Sequence, residues 1–298
     1  SFAYNIIVCI YRREQMRTLN EAFVTKLKEG GLFHTIIEYV IKDTTLDFQI
    51  RDGYINIYFQ GNSILKLNEN GSCEIHEKFL EGTSLSEFIF STATDVNNYL
   101  SNISTIKNNV ISVKSKNPTL EIEYEQLLIR SNNLNKNVNS DIFITDRQYT
   151  DNINNSRFDL SGFFWSGVNR KRNQTVPLTF IEVKYSLNSD ISDISKQIEK
   201  YYNAVKSNIS DIASETENLK NLKIDLGLIN QSKERLDALK TLKISKNIDD
   251  AKFIIALIDY NPNSKLLDLE KIKSLSFKRQ IEIIKCGLAI WGDYLNKI

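Results

Sequence analysis

The stretch RFDLSGFFWSGVNRKRNQTVPLTFIEVKY, residues 157–185, is where the reading of the fold begins. Two apolar, strand-like runs flank a basic loop, and Asp159, Glu182 and Lys184 sit inside those runs. Charged side chains are seldom buried unless they are paired or bind an ion. Strand alternation puts Glu182 and Lys184 on one face and Ile181, Val183 and Tyr185 on the other. By the same rule Arg157 and Asp159 share a face, opposed to Phe158 and Leu160. If the two runs pair as a hairpin, Asp159 lies beside Glu182. Two neighbouring carboxylates repel unless a proton or a cation sits between them. An inter-strand ion cluster on a solvated sheet face is the plainer alternative, but the apolar flanks argue for burial.

The rest of the chain restricts what such a site can be. With 298 residues, 41% hydrophobic and 25% charged, the sequence has the make-up of an ordinary globular protein of one large or two smaller domains. A formal net charge of +1 offers no global field for nucleic acid or an anionic membrane, so any basic surface is local. Cys9, Cys73 and Cys286 are far apart, which fits a reducing, cytoplasmic setting rather than a disulfide scaffold. The early run YNIIVCIY lacks the cationic leader and cleavage site of a signal peptide, and no apolar run is long enough to span a bilayer. His34 and His76 have no ligand-spaced partners, which argues against a Ser-His-Asp hydrolase or a zinc site. Neither GxGxxG nor GxxxxGK[ST] occurs. Carboxylates and lysines are left to carry any chemistry. An all-oxygen donor set selects a hard ion, Mg²⁺ or Mn²⁺. A lysine two residues after the Glu then reaches a scissile phosphate or a water beside it.

Working outward, the spacing predicts a strand over Tyr4–Tyr11 and a helix from about Arg12 to Glu29 with Leu19, Phe23 and Leu27 inward. HTIIEYVI, YINIYFQ and SILKLN read as strands, the last two joined at Gln60-Gly61-Asn62 as a hairpin. A helix covers roughly Ser91–Ile106, and KNPT marks a boundary, giving an N-terminal α+β domain over 1–112 and a second domain over 113–298. There LEIEYEQLLIRSNN reads as a helix, followed by strands DIFITDRQY, RFDLSGFFW and PLTFIEVKYSL and a helix over about Ser192–Lys206. LKIDLGLI then reads as a further strand segment, before a helix over Ser232–Leu242, the strand KFIIALIDY and a terminal helix. This order predicts an α/β fold with a mixed central sheet covered on both sides. Glu121 and Glu125 share a face of the first of these helices, and either can point into the site. Arg170, Lys171 and Arg172 are either a solvated loop tip or phosphate contacts. Arg12, Arg13 and Arg17 form a second cationic face.

Asp159 followed by Glu182-Val183-Lys184 resembles the PD-(D/E)xK nuclease superfamily. The Glu-bearing helix before the strands and Gln197-Ile-Glu-Lys-Tyr201 after them resemble that superfamily's supporting elements, the second its Q-x-x-x-Y motif. Phe158 stands where the family pattern has Pro. The RFDL and FIEVKY strands look most like those of restriction-like or anti-phage defence nucleases, and the likeness spans roughly Leu120–Lys206. It implies a restriction-endonuclease-like core and a metal-dependent endonuclease, with DNA rather than RNA as substrate and double-stranded DNA as the expected partner. Asp159, Glu182 and the Val183 carbonyl would hold the metal, with Asp146 as a further ligand. Lys184 would act on the attacking water, Glu121 or Glu125 would assist, and Gln197 would orient Lys184 or a phosphate. Arg157 and the basic loop would contact nucleic acid. A homodimer or a defence partner protein is compatible with this reading, as is a silent nuclease-like scaffold.

Overall fold

A computed structural model describes residues 17–114, 120–151, 156–167, 174–186 and 189–292. The strand expected over Tyr4–Tyr11, with Arg12 and Arg13, lies outside these residues, as do Arg170, Lys171 and Arg172 of the basic loop. The chain divides into two compact units, 1–126 with 218–230, and 127–217 with 231–298. The division was expected near residue 112; it falls instead inside a helix, and a later segment returns to the first unit. No helix among the described residues is long and apolar enough to cross a membrane.

In the first unit, helix α1 (Glu21–Leu27) starts at Asn20, whose side chain accepts the Phe23 N–H. Helix α2 spans His34–Lys42, which corrects the strand expected for HTIIEYVI. Its β-branched residues favour a strand locally. Yet Ile36, Ile37 and Val40 are the buried ones, and that spacing marks one helical face. Strands β1 (Leu46–Ile50), β2 (Tyr54–Phe59), β3 (Asn62–Asn68) and β4 (Cys73–Glu74) form an antiparallel sheet in that order. The hairpin between β2 and β3 turns through Gln60 and Gly61, at φ 46° and 75°, as a tight two-residue turn requires. Helix α3 (Ala93–Lys114) opens with a capping box, in which the Asp95 carboxylate accepts the Thr92 N–H and the Thr92 hydroxyl accepts the Asp95 N–H. Side chains of all these elements share one core with Leu219, Leu226 and Leu228.

Helix α4 (Leu120–Asn133) crosses the division. The second unit continues with β5 (Ile142–Asp151), β6 (Ser156–Phe164), β7 (Thr175–Val176), β8 (Leu178–Tyr185), α5 (Ile194–Asp225, of which the residues from 218 on belong to the first unit), α6 (Lys233–Thr241), β9 (Lys243–Ile244), β10 (Lys252–Ile258), α7 (Leu269–Lys273) and β11 (Ile281–Cys286). Its main sheet has the order β11-β10-β8-β6-β5. The strands β5, β6 and β8 form an antiparallel meander, while β10 runs parallel to both β8 and β11. The result is a mixed α/β unit. Strand β8 is buried along nearly its whole length, charged residues included. Two expectations fail here. LKIDLGLI holds the last turn of α5, which runs on through Asp225 past a kink at Asn208. In place of a terminal helix, the described C-terminal residues form the short α7 and then β11.

Candidate active site

The pairing of β6 with β8 runs from Phe163↔Leu178 to Leu160↔Ile181, which makes Asp159 and Glu182 the next residues along. Beyond Leu160 the ladder is not continued main chain to main chain. The Asp159 carboxylate accepts the Val183 N–H at 2.8 Å, so a side chain takes the place of a strand neighbour. This local break also overturns the alternation expected for RFDL. Phe158 was placed opposite the Glu182 face, yet its ring lies 4.7 Å from that of Phe180, which shares a face with Glu182, and 4.3 Å from that of Tyr201. Asp159 is half-buried and close enough for its charge to act on Glu182.

Glu182 and Lys184 stand two apart on β8, both buried, with the ammonium 2.7 Å from one carboxylate oxygen. Gln197, one turn into α5, donates its amide to that same oxygen and to the Tyr201 hydroxyl. The Tyr201 hydroxyl in turn donates to the Arg157 carbonyl. A chain of hydrogen bonds thus runs from the β6 backbone through α5 to Glu182. The other Glu182 oxygen, Oε2, is buried and has no hydrogen-bond partner among the described residues. Burial and then the charge of Asp159 push the Glu182 pKa up to about 8, against the opposing pull of Lys184. Burial likewise raises the Tyr201 hydroxyl, with Glu182 adding to it, so that hydroxyl keeps its proton.

The remaining expected residues are distributed as follows. Asp146 is buried on β5 opposite Ser161, one strand further out. Glu125 is buried and Glu121 half-buried on α4, both in the part of that helix assigned to the first unit. Glu123 on the same helix is also half-buried. Arg157 is exposed, and its carbonyl accepts the Tyr201 hydroxyl. The buried polar residues Asn133, Ser161 and Thr179 around this sheet carry no motif. A hint for Asn133 is its place as the last residue of a helix.

No group of three His, Cys, Asp or Glu side chains gathers to hold a metal among the described residues. The donors nearest the site still suit a hard divalent cation. Magnesium is often held by only one or two carboxylates, with water and substrate oxygens completing its shell. Glu182 offers a buried oxygen without a donor, beside a second carboxylate that raises its pKa. A divalent ion between Asp159 and Glu182 would relieve that repulsion. Compared with protein-family models, with curated proteins and with solved structures, the chain finds no match.

Proposed function

We propose that the chain is a metal-dependent endonuclease of the PD-(D/E)xK kind, hydrolysing phosphodiester bonds in DNA. The observation that carries this reading is the buried Glu182–Lys184 pair on β8, with Asp159 entering beside it where β6 leaves the ladder. The order of helix, three antiparallel strands, helix and parallel strand adds support, since it is the order that the superfamily likeness implies. Asp159, Glu182 and the Val183 carbonyl would hold Mg²⁺ or Mn²⁺, with Asp146 as the further carboxylate. Such an ion would supply Lewis acidity toward the phosphate and a lowered pKa for water. Lys184, drawn from its partner Glu182 toward an incoming phosphate, would offset charge building on the non-bridging oxygens. Gln197 keeps Glu182 turned toward the centre, and the tightly held Tyr201 proton keeps that hydroxyl a donor. Arg157 is exposed beside Asp159 and is available to a nucleic-acid backbone.

The test is cleavage of supercoiled plasmid, linear duplex and single-stranded substrates with Mg²⁺ or Mn²⁺. Wild type should cut, and Lys184→Ala should lose at least about a hundredfold, in the range expected for removing a transition-state charge contact. Absence of cutting on every substrate, with nucleic-acid binding unchanged in the variant, would support a second reading. In that reading the chain is a nuclease-like scaffold that binds nucleic acid or a partner protein without cleaving. The absence of a three-ligand group among the described residues is the observation that favours it.

A further inference from the structure

We propose that Asn133 is a positioning residue that sets the face of the sheet on which Asp146 stands, and so delivers a third carboxylate to the side carrying Glu182. The use made of Asp146 rests on the nuclease reading; the placement itself does not. Strand β5 pairs with β6 as Phe143↔Phe163 and Ile144↔Gly162, and then as Asp146↔Ser161. Thr145 is therefore an extra residue, a β-bulge. In an uninterrupted strand Phe143 and Asp146, three apart, would point to opposite faces. Continued without the bulge, the register would set Asp146 opposite Leu160. With it, Asp146 stands opposite Ser161, in the row that continues to Phe180, and Phe180 shares its face with Glu182. In register Asp146 thereby comes two positions from Asp159 on the adjacent strand.

Asn133 clamps the residue just before the extra one. Its side chain is 1% exposed, donates its amide N–H to the Ile144 carbonyl at 2.6 Å and accepts the Ile144 N–H at 2.9 Å. Strand β5 is the edge of the sheet, and the outward pair of Ile144 backbone groups would otherwise lack a strand partner. One amide side chain serves as that partner and fixes where the bulge falls. On the inner side the Thr145 hydroxyl donates to the Ser161 carbonyl at 3.3 Å. Gly162 completes the arrangement, because a Cβ there would lie 1.9 Å from the Phe143 carbonyl oxygen.

The experiment is a Mn²⁺ titration of thermal stability in wild type, Asn133→Ala, Asp146→Asn and the double variant. Each single variant should need about tenfold more Mn²⁺ for the same stabilisation, the scale on which residues supporting a metal centre act. The double variant should bind no more weakly than Asp146→Asn, since Asn133 acts through Asp146. A lower melting temperature in Asn133→Ala with an unchanged Mn²⁺ dependence would overturn the inference, as would effects that multiply in the double variant. If wild type shows no response to Mn²⁺, it is the metal reading that fails, and a crystal structure of Asn133→Ala then decides the positioning role. Asp146 still opposite Ser161 would refute it; Asp146 turned to the Leu160 row would uphold it. Should Asn133→Ala not fold, Asn133→Asp, which keeps the acceptor for the Ile144 N–H, replaces it in both arms.

Discussion

Glu182 is held between opposing demands. Lys184 at 2.7 Å favours its ionised form, while burial and Asp159 favour the protonated one and prevail, with a pKa of about 8. A carboxyl whose pKa rises on folding stabilises the protein fully below its unfolded value, and that contribution is lost as pH climbs through the folded value. The metal-free protein should therefore lose stability between about pH 4.5 and 8 through this group, with a slope of at most about 1.4 kcal/mol for each step of one in pH. Urea denaturation across that range should show the slope in wild type and a flatter one in Glu182→Gln. Equal slopes would mean that Glu182 titrates normally. Removing the cation instead leaves a carboxyl buried without its partner, and Lys184→Ala should cost about 3–5 kcal/mol at pH 8 or above. A loss under about 1 kcal/mol in the same denaturation assay would show that the pair is solvated. These residues are legible in the sequence, because three charges in apolar runs need a reason to be there. The side-chain bond from Asp159 to the Val183 amide is not legible, since nothing in RFDL announces that the ladder ends at Leu160.

At the scale of elements, period and composition disagree in α2, and the period proves decisive. HTIIEYVI is rich in β-branched residues, but a core on one side selects the helical spacing of Ile36, Ile37 and Val40. Strands β2, β3, β5, β6, β8 and β10 are all legible, because their alternating or continuous apolar runs end at turn residues. The bulge in β5 is not. It depends on a helix residue, Asn133, and on Gly162, which is far from it in sequence. Gly162→Ala would drive a methyl into the Phe143 carbonyl and should destabilise by about 3 kcal/mol or more, read as a fall in melting temperature. A melting temperature within a degree of wild type would mean that β5 can move away freely. Tyr201→Phe removes one hydroxyl from the chain between Arg157 and Glu182 but keeps the ring against Phe158. It should cost about 1–3 kcal/mol in denaturation, the usual worth of the two hydrogen bonds that the hydroxyl makes, from Gln197 and to the Arg157 carbonyl. A loss of more than about 4 kcal/mol would show that the hydroxyl supports more than those bonds.

For the whole molecule, chain order misleads about which residues belong together. A boundary placed at KNPT follows local punctuation, whereas the first unit also takes in 218–230, far along the chain. Leu219, Leu226 and Leu228 lie in its core. No local signal reports that, because burial of a helix end in a core built from a distant part of the chain leaves only an ordinary leucine pattern. A fragment of residues 1–126 should therefore show little cooperative unfolding by circular dichroism, and the single change Leu226→Ala in the full chain should cost about 2–5 kcal/mol. A fragment that melts as sharply as the intact protein would mean that the returning segment is dispensable.

That return has a consequence for how the protein is made. Synthesis proceeds from the N-terminus at about 5–20 residues per second, and early domains ordinarily fold as they emerge. Here the first unit waits for leucines that follow all of β5, β6 and β8. For about 5–20 s after residue 126 is added, its core lacks those side chains. The part of the chain made first is then among the last to close its core, which leaves a nascent intermediate for chaperones to hold.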